Sequence, residues 1–217
     1  MERFRQNGDR VGEADSLNNL ELIAKTRGDL AEEERLFREG IAIHREIGGR
    51  LGKAAYLNKI GLIAKTRGDL AEADRLQRMS LAIKREIGDR IGEVDSLNNL
   101  GLIAKTRGDL AEAERLQRES LAIKREIGDR LGEAASLNNL GVIAQTRGDL
   151  AEAERLHREG LAIDREIGDR KGEADSLTNL GIIARENGNM DEAHRCYTEA
   201  VRIRREIGIP IDQWFID

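Results

Sequence analysis

The stretch of sequence that decides the fold runs from Gly88 to Ile127 and reads GDRIGEVDSLNNLGLIAKTRGDLAEAERLQRESLAIKREI. The next 40 residues repeat it with changes at 8 positions, and the same frame recurs in three further copies. A period of this length is typical of a solenoid in which similar units stack on one another. The predicted units are residues 8–47, 48–87, 88–127, 128–167 and 168–207, between an N-terminal extension at 1–7 and an apolar C-terminal tail at 208–217.

Each unit contains two series of apolar or small residues at helical spacing. In the unit that begins at Gly88, the first series, helix A, comprises Ile91, Val94, Leu97, Leu100 and Ala104. The second series, helix B, comprises Leu110, Ala113, Leu116, Ser120, Ile123 and Ile127. Asp89 is the predicted N-cap of helix A, and Gly108 is a suitable C′ residue after it. A connection of about two residues makes the helices antiparallel neighbours, so the chain is predicted to be all-α and built from helical hairpins.

A glycine interrupts helix A at a fixed place in four units. These glycines are Gly61, Gly101, Gly141 and Gly181. Glycine in a helix interior costs about 1 kcal/mol relative to alanine, so its repetition requires a structural reason. We expect close approach of helix B, with small residues lying opposite. The expected partners are Ala73, Ala113, Ala153 and Ala193.

Charge and cysteine content argue against several functions. The chain has 41 acidic and 36 basic residues, interleaved, and a net charge of −5. A nucleic-acid-binding protein usually shows a basic excess or stripe, so no nucleic-acid partner is expected. No apolar run approaches membrane-spanning length, and no apolar signal-peptide segment follows Met1, so no membrane partner is expected. Cys196 is the only cysteine, which excludes an intrachain disulfide and favours a reducing, cytoplasmic location.

The reactive side chains form no recognisable catalytic or metal-binding pattern. His44, His157 and His194 occupy different places in their units, without cysteine or carboxylate neighbours at metal-ligand spacing. No serine or cysteine has a nearby histidine that would activate it, and the glycines form no phosphate-binding loop. We therefore expect no metal, no cofactor and no enzymatic activity.

Five residues of the third unit carry a family resemblance: Leu100, Gly101, Gly108, Ala113 and Ser120. Together with the Asn-Leu-Gly and Gly-Asp-Leu-x-Glu-Ala motifs, they resemble the tetratricopeptide repeat. That family's usual period is about 34 residues. The period of 40 and the Gly-Asp-Arg-x-Gly-Glu junction resemble its long-helix branch, as in LGN-type scaffolds and kinesin light chains. The resemblance implies a right-handed α–α superhelix of five hairpins, with helix A lining its concave surface.

The chain also departs from the family pattern. Arg125 stands where a proline commonly ends the unit, so helix B is predicted to continue through Ile127. The first unit has Glu21 where other units have glycine, and Glu33 where they have alanine. Because an unpaired carboxylate is expensive to bury, we expect the first unit to be either distorted or open to solvent there.

The residues of helix A that packing does not use form one stripe. The candidate peptide-binding residues are Asn19, Asn58, Lys59, Asn98, Asn99, Leu102, Lys105, Asn138, Asn139, Val142, Asn179, Ile182 and Arg185. Asparagine is a poor helix former, but its amide both donates and accepts hydrogen bonds, as binding of an extended peptide requires. In the family, an asparagine at the position of Asn99, Asn139 and Asn179 commonly holds a peptide main chain. Alternatively, these asparagines bridge adjacent A helices and serve stability alone.

The tail contains a run of large apolar residues after the last unit. They are Ile209, Ile211, Trp214, Phe215 and Ile216. One interpretation is that the tail covers the last hairpin in place of a further helix A. The other is that it docks on a second molecule, which would produce a homo-oligomer through the terminal repeats or the tail.

The sequence therefore favours a non-catalytic protein-interaction scaffold that binds a peptide or helix along the concave face of helix A. The alternative is a structural, self-assembling or engineered consensus-like repeat protein without a natural ligand. A third possibility is a regulatory sensor module for an enzyme, for which nothing beyond the fold argues.

Overall fold

The computed structural model describes residues 8–210, and this range contains ten α-helices and no strand. We number the helices α1 to α10; odd numbers are A-type helices and even numbers are B-type helices. Their bounds are α1 Arg10–Thr26, α2 Leu30–Glu46, α3 Arg50–Thr66, α4 Leu70–Ile87, α5 Arg90–Thr106, α6 Leu110–Ile127, α7 Arg130–Thr146, α8 Leu150–Ile167, α9 Arg170–Glu186 and α10 Met190–Glu206.

Short polar junctions set the ends of the helices. The side chain of Asp89 accepts a hydrogen bond of 2.9 Å from the backbone N–H of Gly92 and so caps α5, as predicted. Gly108 follows α5 with a φ of 79°, a left-handed conformation that glycine adopts without strain. Helix α6 extends to Ile127, which confirms that helix B continues past Arg125.

The chain consists of two compact units, residues 1–109 and 110–217. The first unit contains α1 to α5, and the second contains α6 to α10. Within each unit every helix packs against the next in sequence, which confirms the predicted packing in consecutive pairs. In addition, the A-type helices α3 and α5 contact each other, as do α7 and α9. The A-type helices therefore lie on the side where neighbouring hairpins come closest.

Aliphatic side chains fill the space between hairpins. In the second unit the core includes Leu121, Ala134, Leu137, Leu140, Leu156 and Ile163. In the first unit a core cluster includes Leu57, Ile60, Ile63 and Leu76, with the aromatic rings of Phe37 and Tyr56. Complete burial of one leucine or isoleucine contributes about 1.5–3 kcal/mol, so this interleaved core is the main source of stability.

Ile91 corrects the predicted packing series of helix A. It was assigned to the buried face, but its side chain is 69% exposed. Ile91 is the second residue of α5 and lies one turn before Val94, which is buried. Packing of this helix therefore begins at Val94, and Ile91 belongs to the exposed side.

The glycines inside the A-type helices make room for large side chains rather than for alanines. A Cβ atom built on Gly141 would lie 2.5 Å from Nε2 of His157, and one on Gly181 would lie 2.4 Å from Cε1 of Tyr197. At Gly61 the nearest atom would be Nε2 of Gln77, at 2.9 Å. The expectation of alanine partners is therefore wrong at these three glycines, because a polar or aromatic side chain of helix B lies closest to the space that each of them leaves.

Buried carboxylates tie consecutive hairpins together. Glu133 on α7 is buried and lies 2.7 Å from Nε of Arg125 on α6, while Arg130 donates a second hydrogen bond. Burial by itself would raise the pKa of Glu133, but the two guanidinium groups outweigh it and lower this pKa. Glu173 on α9 is bound in the same way by Arg165 and Arg170.

The first hairpin is regular despite its acidic substitutions. Helices α1 and α2 are each continuous over 17 residues. Glu33 is buried in α2, and Glu21 is largely covered, with 14% of its side chain exposed. The expected distortion or opening at these residues is therefore absent.

Candidate functional site

The A-type helices present an exposed side, which we call the A face of each unit. In the first unit the A face carries three exposed leucines, one from each A-type helix. They are Leu22, Leu62 and Leu102. The equivalent Val142 and Ile182 of the second unit are half-buried. The predicted apolar positions of the stripe thus lie at the surface in the first unit and partly below it in the second.

Two adjacent polar positions of the stripe, 58/59, 98/99, 138/139 and 178/179, have different environments. Asn58 donates a hydrogen bond of 3.1 Å from Nδ2 to Oε1 of Gln77, and Gln77 returns one of 3.0 Å to the carbonyl of Asn58. Asn98 is also engaged. By contrast, the side chains of Asn99, Asn139 and Asn179 make no hydrogen bond to the described part of the chain and are accessible on the A faces. The side chain at the first position is thus engaged within the unit, whereas the asparagine at the second position remains accessible at the surface.

In the second unit, Asn138 belongs to a buried polar chain that spans three helices. Its Oδ1 lies 3.0 Å from Nδ1 of His157 on α8, and its Nδ2 lies 2.9 Å from Oγ of Ser176 on α9. The Ser176 hydroxyl also lies 2.9 Å from Oδ2 of Asp164 on α8. In the sequence, His157 fits no metal-ligand pattern and nothing indicates its place in this chain. Asp164 gives only the signal that it stands where the second and third repeats have Lys84 and Lys124.

Burial controls the ionisation of both ends of this chain. Asp164 is 2% exposed, and burial raises its pKa to about 6, with the negative charges of Asp169 and Asp175 adding to the effect. His157 is fully buried, and burial lowers its pKa to about 4. Both groups therefore favour their neutral forms in the folded protein.

A second row of exposed apolar residues was missed in the sequence. In the first unit it consists of Val11, Leu51 and Ile91, at the start of successive A-type helices, and Leu131 holds the equivalent position in the second unit. In the first unit, Leu51 and Ile91 flank a cleft of about 300 Å³ whose lining also includes Ala55, Lys59 and Lys84. The recurrence of an apolar residue two positions after the N-cap in the first four repeats is the available indication, but helical periodicity places this residue in the core.

Lys59, which is predicted to contact a ligand, already makes contacts within the first unit. Its ammonium group lies 3.2 Å from Oε2 of Glu21 and 4.9 Å from the centre of the Phe37 ring. Lys65 and Lys105 have no acidic partner among residues 8–210. At the same position in the second unit, Gln145 donates a hydrogen bond of 3.0 Å to Glu186. The first unit therefore has the more cationic A face.

The predicted self-association residues lie mostly outside the described range. Ile209 is half-buried, and its N–H donates a hydrogen bond of 2.9 Å to the carbonyl of Arg204. Ile211, Trp214, Phe215 and Ile216 fall outside residues 8–210. Whether the tail covers the last hairpin or docks on a second molecule therefore stays a prediction.

The histidine, cysteine and acidic side chains of the described range form no metal-binding cluster and no reactive thiolate. Within residues 8–210, no cluster of three or more His, Cys, Asp or Glu side chains is placed to hold a metal ion. Cys196 is buried, and burial raises the pKa of its thiol, which suppresses the reactive thiolate. Among the described helices, none is both long enough and apolar enough to cross a bilayer.

The chain belongs to the tetratricopeptide repeat family. One family profile with this description matches residues 52–126, 92–166 and 132–206. A second profile of the same description matches residues 14–50. The matched ranges together comprise residues 14–50 and 52–206 and confirm the resemblance drawn from the sequence. No curated protein matches the chain.

Solved structures of known proteins share this fold at low sequence identity. BtubC (BKLC) from P. vanneervenii matches with a TM-score of 0.83 and 21% identity, over 97% of this chain and 87% of that one. A putative kinesin light chain with nearly identical TPR-like repeats from Podosopora anserina has a TM-score of 0.73 and 19% identity, over 90% and 96% of the two chains. A Rap protein complexed with competence and sporulation factor has a TM-score of 0.68 and 15% identity, over 90% of this chain and 54% of that one. These likenesses establish the fold alone.

Proposed function

We propose that this protein is a non-catalytic interaction scaffold that binds a peptide segment of a partner protein on its A faces. The observation that carries the proposal is a separation of roles between the two adjacent polar positions of each A-type helix, 58/59, 98/99, 138/139 and 178/179. Asn58 and Asn138 use their amides inside the unit, whereas Asn99, Asn139 and Asn179 keep theirs unused at the surface. Free side-chain amides on an A face offer both donors and acceptors to an extended main chain.

The surroundings of the free amides support this proposal. Exposed Leu62 and Leu102 lie about one helical turn from Lys59 and Asn99 on the same side of their helices. A site that combines a few placed polar groups with apolar contact suits a peptide better than it suits a small charged metabolite. Tetratricopeptide repeat proteins generally act as non-catalytic scaffolds, and the Rap protein complexed with competence and sporulation factor is a structural neighbour that holds a partner. With its single, buried cysteine, the chain suits a reducing compartment, and we propose a cytoplasmic location.

The proposal is tested with a phage-displayed library of random peptides selected on the wild-type protein. Peptides from this selection are then measured against the Asn99→Ala/Asn139→Ala/Asn179→Ala variant. We expect binding to weaken by at least about tenfold, or about 1.4 kcal/mol. The matched control is Arg75→Ala/Arg115→Ala/Arg155→Ala, which changes three exposed residues of the B-type helices and is expected to leave affinity unchanged. Equal affinity of the asparagine variant, with its circular dichroism spectrum intact, would reject binding on the A faces.

A second candidate function, self-association through the end faces, is favoured by a specific difference in burial. Leu20 and Ile23 of α1 are exposed. Their equivalents in the later A-type helices are buried: Ile60 and Ile63, Leu100 and Ile103, Leu140 and Ile143, and Leu180 and Ile183. At the other end, α10 borders an open cleft of about 790 Å³ lined by Met190, Tyr197 and Val201.

These two surfaces are the kind that another copy of the chain could cover by repeating the internal packing. Light scattering from micromolar to millimolar concentration tests this candidate. Association that Leu20→Ser/Ile23→Ser abolishes would support it, and a monomer at all concentrations would exclude it.

A further inference from the structure

The A face of the first unit carries three rows of residues that run across its helices. Each A-type helix contributes one residue to each row, and the contributions follow one another at intervals of three residues. The polar row is Asn19, Lys59 and Asn99; the leucine row is Leu22, Leu62 and Leu102; the lysine row is Lys25, Lys65 and Lys105. Residues at i and i+3 lie on the same side of a helix, one turn apart, so the leucine row lies between the other two.

The lysine row differs from most basic residues of this protein. Many arginines of the B-type helices are held by carboxylates one turn away, as Arg75 is by Glu72 and Arg35 is by Glu32. None of the three lysines has an acidic partner among the described residues. Their charges, beside three exposed leucines, make this strip both apolar and cationic. A ligand complementary to it carries apolar and acidic groups side by side.

The distance between the helices limits the conformation of such a ligand. Helices α3 and α5 pack directly, and α1 is joined to α3 by the Lys59–Glu21 ion pair. Packed helices lie about 8–10 Å apart. In a β-strand, side chains on one face recur about every 6.6 Å, which does not match this spacing. A polyproline II helix advances about 9.3 Å for each turn of three residues, which does match it.

We propose that the first unit binds a protein segment in polyproline II conformation in which every third residue is apolar and the residue next to it is acidic. The inference rests on the proposed function and specifies its ligand. With three residues per turn, the segment presents one side to the leucine row and a second side to the lysine row. Its main chain has no internal hydrogen bonds, so N–H and C=O groups are available to the amides of Asn19 and Asn99.

Two synthetic peptides of identical composition test this inference. One consists of three Leu-Asp-Pro triplets, and the other contains the same residues rearranged so that leucines alternate with the remaining residues. The triplet peptide is expected to bind the wild-type protein at least about tenfold more tightly. Its affinity should fall as salt is raised, because exposed charge pairs are screened.

A matched pair of variants locates the contact. Lys65→Gln/Lys105→Gln is expected to weaken binding of the triplet peptide about tenfold and to reduce its salt dependence. Arg45→Gln/Arg205→Gln removes the same charge at two exposed arginines that also lack an acidic partner in the described range. This control is expected to bind like the wild type.

The outcomes separate the inference from the function on which it rests. Equal binding of both peptides, lost in each case when Asn19 and Asn99 are changed to alanine, would overturn the inference but retain a peptide-binding A face. If neither peptide binds while library-selected peptides still require the asparagines, the inference is again overturned and the peptide-binding A face is retained. If neither these peptides nor the library-selected ones depend on the asparagines, both proposals are wrong.

Discussion

The ammonium group of Lys59 on α3 lies 3.2 Å from a carboxylate oxygen of Glu21 on α1. Each residue is an exception to the repeat: other units have glycine at the position of Glu21, and most have asparagine at the position of Lys59. The two exceptional residues form an ion pair with each other. Lys59 also lies within 5.9 Å of the centre of the Tyr56 ring. The acidic substitution in the first hairpin is thus compensated by a basic one in the next.

This compensation predicts non-additive mutant stabilities. Lys59→Asn leaves the largely covered Glu21 without its partner and is expected to reduce the free energy of unfolding by about 1 kcal/mol. Adding Glu21→Gln, which removes the unpaired charge without placing a glycine inside the helix, is expected to recover most of the loss. Urea denaturation of the two single variants and the double variant gives the coupling, which we expect to be about 0.5–1 kcal/mol because Lys59 is partly exposed. Strictly additive effects would show that the pair contributes nothing.

Asp164 predicts an unusual dependence of stability on pH. Its pKa is about 6 in the folded protein against an ordinary 3.8, so the folded state holds a proton that the unfolded state has lost between these values. Its contribution is present below about pH 4 and is lost as the pH rises to about 6. Asp164→Asn keeps a neutral side chain of the same shape and is expected to raise the free energy of unfolding at pH 7 by about 2 kcal/mol. Urea titrations at pH 4 and pH 7 check this, and a variant less stable than wild type at pH 7 would contradict it.

His157 predicts the opposite trend over nearly the same interval. Its pKa is about 4 in the folded protein against an ordinary 6.5, so the unfolded state binds the proton first and stability rises with pH between these values. In the wild type the two trends largely cancel. His157→Gln, which introduces the residue found at Gln77 and Gln117, is expected to unmask a fall in stability from about pH 4 to 6. A rise over this interval in the same denaturation series would reject the assignment.

Gly141 predicts a steric effect that a second substitution relieves. Gly141→Ala places a Cβ atom 2.5 Å from the imidazole of His157, and such overpacking is expected to cost about 1–3 kcal/mol. In a His157→Ala background the same change is expected to be neutral or stabilising, since the clash is gone and alanine favours the helix by about 1 kcal/mol. Thermal unfolding of the four proteins measures this. Equal costs in both backgrounds would mean that the glycine serves another purpose.

Much of the fold could be predicted from the sequence because it is set by local rules repeated many times. Asp89 before helix A and Gly108 after it mark ends that the structure reproduces. Burial on the outer turns was harder to predict. Ile91 has the right type and spacing for the core, but its helix begins only one residue earlier, and no neighbouring hairpin covers that turn. The periodicity of apolar residues predicts which side of the helix a side chain is on, but not whether a neighbouring helix covers that side.

The polar interior could not be predicted for a different reason. Asp164 and His157 each look like a surface substitution in an otherwise repeated frame. Their link through Ser176 and Asn138 joins residues from three helices, and only the packed arrangement brings these residues together. The hydrogen bonds of Asn58 and Asn138 likewise depend on Gln77 and His157, which reach across from helix B. The stripe itself was visible in the sequence, but which of its members were free was not.

The most direct test of the A face as a binding surface is protection of single cysteines from alkylation. Leu62→Cys places a thiol on the A face of the first unit, and Arg75→Cys places one on the exposed side of α4; the native Cys196 is buried. With a saturating library-selected peptide, alkylation at position 62 is expected to slow by at least about tenfold while position 75 reacts as before. Unchanged reaction at position 62, or protection of position 75 instead, would contradict binding on the A face.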